Sequence, residues 1–238
     1  MIDAYNKTFD EVNELVRECS DSEITIENIL GHRYIAASSM GKHFILKGTI
    51  GNACGCYLDG SVIDIYGNTS DALGDTMNDG KIIVHGHAGD TVGYAMRGGE
   101  IYIDGDVGYR TGIHMKSYQD KIPVIVAGGA AGDFLGEYQA GGIIIILNQD
   151  NKKNSIGEYA ATGMHGGVMY IRGNISDYRF PSQVLVEKAT KEDLESISLY
   201  LKNYENFFNK DLTKLLVDDF IKVTPNSNNP YKQLYCAN

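Results

Sequence analysis

Short apolar runs alternate along the chain with polar stretches punctuated by glycine, and the runs recur at a fixed interval. Four of them are Phe44-Ile45-Leu46-Lys47-Gly48, Ile63-Asp64-Ile65-Tyr66-Gly67, Ile82-Ile83-Val84-His85-Gly86 and Ile101-Tyr102-Ile103-Asp104-Gly105, spaced by 19 residues three times over. A fifth run, Val124-Ile125-Val126-Ala127-Gly128, follows after 23 residues, a sixth is Ile144-Ile145-Ile146-Leu147-Asn148, and a seventh is Met169-Tyr170-Ile171-Arg172-Gly173. Counted back from the last residue of each run, the second position reads Leu46, Ile65, Val84, Ile103, Val126, Ile146, Ile171. The fourth reads Phe44, Ile63, Ile82, Ile101, Val124, Ile144, Met169. Both columns are apolar, whereas the third position, Ile45, Asp64, Ile83, Tyr102, Ile125, Ile145, Tyr170, is mixed. A period of two with one apolar face marks β-strands, so the two apolar columns are expected to point inward and the mixed one outward.

The ends follow a different period. Thr8-Phe9-Asp10-Glu11 fits a capping box, and Phe9, Val12, Leu15, Val16 and Cys19 then recur at helical spacing. From Lys191 to about Lys222 glycine vanishes, and Leu194, Ile197, Leu201, Tyr204, Phe208, Leu212, Leu215 and Leu216 predict a second helical region. The tail from Thr224, with Pro225 and Pro230, is expected to be irregular.

After the strands comes a second pattern, Gly-x-x-Gly-x-x-x-Gly. It appears at Gly48, Gly51, Gly55 and Gly60, at Gly86, Gly89, Gly93, Gly98 and Gly99, and at Gly129, Gly132, Gly136, Gly141 and Gly142. Partial copies stand at Gly67, Gly74 and Gly80 and at Gly105, Gly108 and Gly112. A strand, crossover helix and return strand need about 30 residues, so a 19-residue unit holds only strands and tight turns. Stacking such units pairs equivalent strands in parallel about 4.8 Å apart. The predicted fold is all-β: a right-handed parallel β-helix of about seven coils with helical N- and C-terminal caps over its open edges. Residues 1–43 are assigned to the N-terminal cap with its helix, 44–175 to the β-helix, and 176–238 to the C-terminal helical region and tail. The corner glycines are expected to supply positive φ and to let neighbouring backbones approach, a role not extended to Gly31 or Gly41.

Composition narrows the function. Lys plus Arg number 21 against 31 Asp plus Glu, a formal charge of -10, which disfavours nucleic acid and anionic membranes. The longest apolar run, Ile143 to Leu147, is far short of the ~20 residues of a membrane span. Cys19, Cys54, Cys56 and Cys236 are too irregular for a disulfide framework, and Met-Ile-Asp-Ala-Tyr-Asn opens the chain without an export signal. A cytoplasmic protein is expected.

The residues capable of chemistry favour structural roles. No glycine copy has dinucleotide-binding spacing or leads into a helix. His85-Gly86-His87 suggests a metal pair, but His85 shares a column with Tyr66 and Asp104, so a His85 to Asp104 contact between repeats is expected instead. Cys54-Gly-Cys56 is too close for a zinc or redox pair. Asp59, Asp64, Asp75, Asp90, Asp104 and Asp133 lie near turns, where carboxylates satisfy backbone donors. No catalytic, cofactor-binding or metal residue is assigned. Arg97, Arg110 and Lys116 with Tyr109, Tyr118 and Tyr138 are the candidates for an interface or an anion site. The outward column itself suits burial by a partner.

The repeated glycine pattern, with Gly136-Glu137-Tyr138-Gln139-Ala140-Gly141-Gly142 and Gly163-Met164-His165-Gly166-Gly167, resembles the C-terminal β-helix domain of the large subunit of glutamate synthase over residues 24–175. Phe220-Ile221-Lys222-Val223-Thr224-Pro225, and later Tyr231-Lys232, look like that family's closing segment. In that family a glutaminase domain releases ammonia, and a domain carrying FMN and an iron-sulfur cluster forms glutamate from 2-oxoglutarate. The resemblance implies a non-catalytic scaffold with a glutaminase-type amidotransferase subunit and an FMN-binding synthase subunit as partners. It implies no cofactor in this chain, with FMN and the cluster in a partner, and it is compatible with a homo-oligomer. It looks like the version in which these parts are separate polypeptides. Similar β-helix chains occur in N-methylglutamate synthase and formylmethanofuran dehydrogenase, and β-helices also occur as polysaccharide-degrading enzymes, so the fold alone does not set the reaction.

Overall fold

The computed structural model describes residues 1–173, 178–215 and 220–226. Its core follows from the apolar runs. After β1 (Ile2–Asp3) and β2 (Glu23–Leu30), the seven runs supply β3 (His43–Thr49), β4 (Asp59–Tyr66), β5 (Asp79–Val84), β6 (Glu100–Ile103), β7 (Val124–Ala127), β8 (Ala140–Ile146) and β9 (Gly166–Arg172). β10 (Val184–Lys188) and β11 (Phe220–Pro225) complete one 11-stranded, mostly parallel sheet in the order β1-β2-β3-β4-β5-β6-β7-β8-β9-β11-β10. No helix lies between Lys47 and Gly112. The parallel ladder starts at β1, where Ile2 pairs with Ile26, and passes through β2, whose Ile24 and Ile26 pair with Phe44 and Leu46, so the repeating pattern begins before residue 44.

The inward columns line up as one core. Leu46, Ile65, Val84 and Ile103 are successive partners, fully buried, and continue through Ala127 and Ile146 to Ile171. The second column runs from Phe44, Ile63, Ile82 and Ile101 through Ile125 and Ile144 to Met169. The fifth run corrects the expected register by one residue. Ile125 and Ala127 point inward, not Val124 and Val126. With apolar residues on both faces of β7 the alternation carries no phase there, and the partner strands decide it.

Adjacent repeats also meet along two further lines. Ile50, Thr69, Ala88, Val107, Ala131 and Ile156 form a column of parallel bridges. Beyond it Ala53 N donates to Asp71 O (2.9 Å), Ala72 N to Asp90 O (2.9 Å) and Thr91 N to Tyr109 O (2.8 Å).

At the N-terminal end Thr8 and Glu11 form the expected capping box of α1 (Phe9–Glu18). Val12 enters the core, Asn13 Nδ2 donates to Arg33 O (2.9 Å), and Leu15 faces solvent. The C-terminal helices α2 (Lys191–Ser196) and α3 (Ser198–Phe208) do not cap the far end. Ile197, Leu201 and Tyr204 pack on the outward face of the sheet against Tyr102, Val126, Ile145 and Tyr170. The outward column expected to await a partner is therefore covered over β6 to β9 by the chain itself.

The open edge of β9 is paired by β11, which runs antiparallel to it, and β10 pairs antiparallel with the far side of β11. Phe220 to Lys222, read as helical, and Thr224 and Pro225, read as irregular tail, are strand instead. Their β-branched residues meet the unpaired edge of β9, and Pro225 stands at the strand end where its missing N–H is tolerated. Leu216, the Tyr231-Lys232 pair, Cys236 and the boundary at residue 175 lie outside the described residues. Among the described residues no helix is long and apolar enough to cross a membrane.

Candidate functional site

Each repeat rounds its tightest corner through three left-handed residues at alternate positions. They are Thr91, Gly93 and Ala95 (φ 56°, 65°, 50°), then Arg110, Gly112 and His114 (57°, 72°, 55°), then Phe134, Gly136 and Tyr138 (59°, 63°, 52°). The middle residue faces the core. A Cβ at Gly93 would stand 2.6 Å from Ile125 Cδ1, and one at Gly112 2.5 Å from Ile144 Cδ1. At these three corners the two neighbours are partly or fully exposed, so each displays a pair of side chains two residues before and after its glycine; in the corners at Tyr34 to Ser38 and Tyr159 to Gly163 the middle residue is Ala36 or Ala161 instead.

The other corner glycines have a different reason to be glycine. Gly51, Gly86, Gly89, Gly105, Gly108, Gly129, Gly132 and Gly141 lack positive φ, which corrects the expectation that all corners need it. Several of them leave room for a side chain that caps the next repeat. Asp71 Oδ1 accepts from Asp90 N (2.9 Å), Asp90 Oδ1 from Tyr109 N (2.9 Å) and Asp133 Oδ1 from Glu158 N (2.8 Å). A Cβ on Gly108 would fall on that Asp90 oxygen. On the neighbouring line Asn68 Oδ1 accepts from His87 N (2.9 Å), His87 Nδ1 from Asp106 N (2.9 Å), and Asp106 Oδ1 from Ala130 N (2.7 Å). Burial raises the Asp106 carboxyl pKa, but Lys152 and the Ala130 N–H outweigh it and hold the group below the usual carboxylate value.

The outward corner residues assemble an aromatic edge. His114 stacks on Tyr138 (5.2 Å, 7°) and meets Tyr94 edge-on (6.0 Å). Phe134 stacks on Tyr159 (5.0 Å) and meets Tyr109 edge-on (6.4 Å). The Arg110 guanidinium lies 5.0 Å from the Tyr109 ring and 5.3 Å from Phe134. Its Nε is 2.9 Å from Glu137 Oε2, an ion pair without a directed hydrogen bond. Of the six residues singled out from sequence, the structure joins Arg110 to Tyr109 and places Tyr138 on the same edge. Arg97 and Lys116 fall two positions past the corner pairs, and Tyr118 sits in the turn bridged to Lys121. Tyr57, Tyr94, His114, Phe134 and Tyr159 were missed. Reading two residues either side of the corner glycines finds Tyr57, His114 and Phe134.

The remaining candidates fall into separate structural roles. His85 does not reach Asp104: it stacks on Tyr66 (4.4 Å) and meets Phe208 edge-on (5.3 Å). Asp104 instead binds Lys210 Nζ (2.5 Å) and accepts from the Tyr204 hydroxyl (3.0 Å), which also receives Gln149 Nε2 (2.6 Å). Gly128 is glycine because Tyr204 lies there: a Cβ would fall on its hydroxyl. Burial, with Asp104 alongside, pushes the Tyr204 phenol up and keeps it neutral. The Cys54 thiol is buried in the core and the Cys56 thiol lies outside it, each raised mainly by burial. Asp90 and Asp133 cap backbone donors as expected, whereas Asp64 takes His43 Nε2 (2.7 Å). Among the described residues no three His, Cys, Asp or Glu side chains gather to hold a metal.

A model of the glycine repeat described as the GXGXG motif matches residues 12–229. The chain belongs to the GXGXG motif family. This is the family of the C-terminal domain found in the large subunit of glutamate synthase, the one that the sequence resembles. The uncharacterized protein MJ1350 of Methanocaldococcus jannaschii is 44% identical over 241 residues, covering 97% of this chain and 92% of that protein. Within the GXGXG motif the structure gives the alternate glycines two tasks, a core-facing left-handed turn and a vacancy for the preceding repeat's cap.

Proposed function

We propose that the chain is a right-handed parallel β-helix and serves as a non-catalytic scaffold subunit of a glutamate-synthase-like complex. In this reading it holds a glutaminase-type amidotransferase and an FMN-binding synthase subunit in register, so that ammonia released from glutamine reaches the centre where 2-oxoglutarate becomes glutamate. The observation that carries it is membership of the GXGXG motif family along nearly the whole chain. The three lines of contact between repeats support a solenoid. The corner chemistry supports scaffolding: carboxylates, imidazole and amide are engaged in capping the next repeat. A polysaccharide-active groove is disfavoured, because α2 and α3 occupy the outward sheet face over β6 to β9.

The test compares glutamine-driven with ammonia-driven glutamate formation by the two partner subunits, with and without this chain. Glutamine-driven turnover is expected to require it, and ammonia-driven turnover to persist without it, since free ammonia needs no guided passage. Binding of FMN or release of ammonia from glutamine by the isolated chain would overturn the reading, as would failure to bind either subunit.

A further inference from the structure

The aromatic edge is built to hold a cation, and one repeat shows how. Arg110 lies over Tyr109 and Phe134 with Glu137 beside it, so a guanidinium is seated between rings and a carboxylate. The first corner repeats the arrangement, with the Arg33 guanidinium 4.4 Å from the Phe9 ring and 6.0 Å from Tyr34, and other corners present rings and acids with no arginine lying on them among the described residues. Tyr57, Tyr94, Tyr109, Tyr138 and Tyr159 are between 37% and 58% exposed along this one edge. Asp75 follows Tyr57 across the repeat, the Tyr57 N–H donating to its carbonyl (2.8 Å). Glu158 precedes Tyr159, and Asp71, Asp90 and Asp133 stand one residue before the corner pairs with their second carboxylate oxygens not engaged in the caps. Ring faces beside carboxylates attract guanidinium groups and repel acids. Burying this edge against the same edge of a second copy would bring like charges together, on a chain of formal charge -10.

We propose that this edge is a docking surface for an extended, arginine-bearing segment of a partner protein, each arginine lying on a tyrosine as Arg110 lies on Tyr109. The proposal names the face by which the scaffold would be engaged and rests on that reading. Its test needs none of the enzyme subunits, so the two fail independently. Binding of a fluorescein-labelled (Gly-Arg)5 peptide to the full chain is followed by anisotropy, with (Gly-Lys)5 and (Gly-Glu)5 as comparisons.

The arginine peptide is expected to bind several-fold more tightly than the lysine peptide, and the glutamate peptide not at all. Y94L/Y138L, which leaves the charge unchanged, is expected to weaken the arginine peptide at least fivefold. D71N/D90N/D133N keeps the Oδ1 acceptors of the backbone caps while removing three charges, and is expected to weaken it at least tenfold. E18Q/E187Q/E192Q, neutralising three exposed carboxylates elsewhere, is expected to change it less than twofold. Equal losses in the two neutralised triples, or no loss on removing the tyrosines, would reduce the effect to net charge and overturn the proposal. So would light scattering showing that two copies pair through this edge.

Discussion

At the corners centred on Gly93 and Gly112 a single hydrogen decides between fold and clash. Gly93 and Gly41 both have positive φ, 65° and 63°, but only Gly93 has neighbours where a Cβ would be, whereas Gly41 faces open space. Gly41→Ala is expected to cost about 1 kcal/mol, the left-handed strain alone. Gly93→Ala adds overpacking against Ile125 and is expected to cost about 2–4 kcal/mol. Urea midpoints of the two variants measure the difference, and equal midpoints would remove the packing role assigned to Gly93. Half of this was legible in the sequence, since the glycine column announces a turn. That Thr91, Arg110 and Phe134 also adopt left-handed backbone was not, because non-glycine residues enter that region only where neighbouring bonds over-determine them.

Among the elements, the strands declare themselves by alternation, while the placement of α2, α3 and β11 depends on distant partners. Asp193 ties α2 and β11 to β9. It caps α2 at Thr190 N (2.9 Å), binds Lys222 Nζ of β11 (2.7 Å) and receives the Tyr170 hydroxyl of β9 (3.5 Å). Burial works to raise its pKa, but Lys222 and the Thr190 donors prevail and lower it from the ordinary 3.8. A carboxylate depressed in the folded state contributes stability that is complete above its unfolded value and is lost as pH falls through the lower folded one. Acid unfolding below pH 3.8 is therefore expected to be steeper for the native chain than for Asp193→Asn, and Asp193→Asn to have the lower midpoint at neutral pH. Parallel acid titrations of the two chains followed by circular dichroism check this; superimposable curves would deny Asp193 the tie. The helical spacing of Leu201 and Tyr204 foretold a helix but not its seat, since an apolar stripe does not say which apolar face it meets.

For the whole molecule, the identical interval between four repeats makes length modular. Deleting residues 68–86 removes 19 residues and brings β4 beside β6 with Ile65 facing Ile103, as each faces Val84 now. This shortened chain is expected to fold cooperatively. Deleting 68–85 leaves one surplus residue at a corner bonded on every line, and a lower thermal midpoint is expected. Equal midpoints would show that the 19-residue interval does not set the register. The sequence by itself determined the repeat, its strands, the inward columns of the first four runs and the helix at Phe9–Glu18, because these rest on local periods of two and 3.6 and on a capping box of four consecutive residues, Thr8 to Glu11. Only the tertiary structure decided the phase of Val124 to Ala127, the strand at Phe220–Pro225, and the seat of the C-terminal helices over Tyr102 and Ile145. The physical reason is common to all three. A segment apolar on both faces, or extended beside an open edge, has no preferred state until another part of the chain supplies the surface or the hydrogen-bond partners that it lacks.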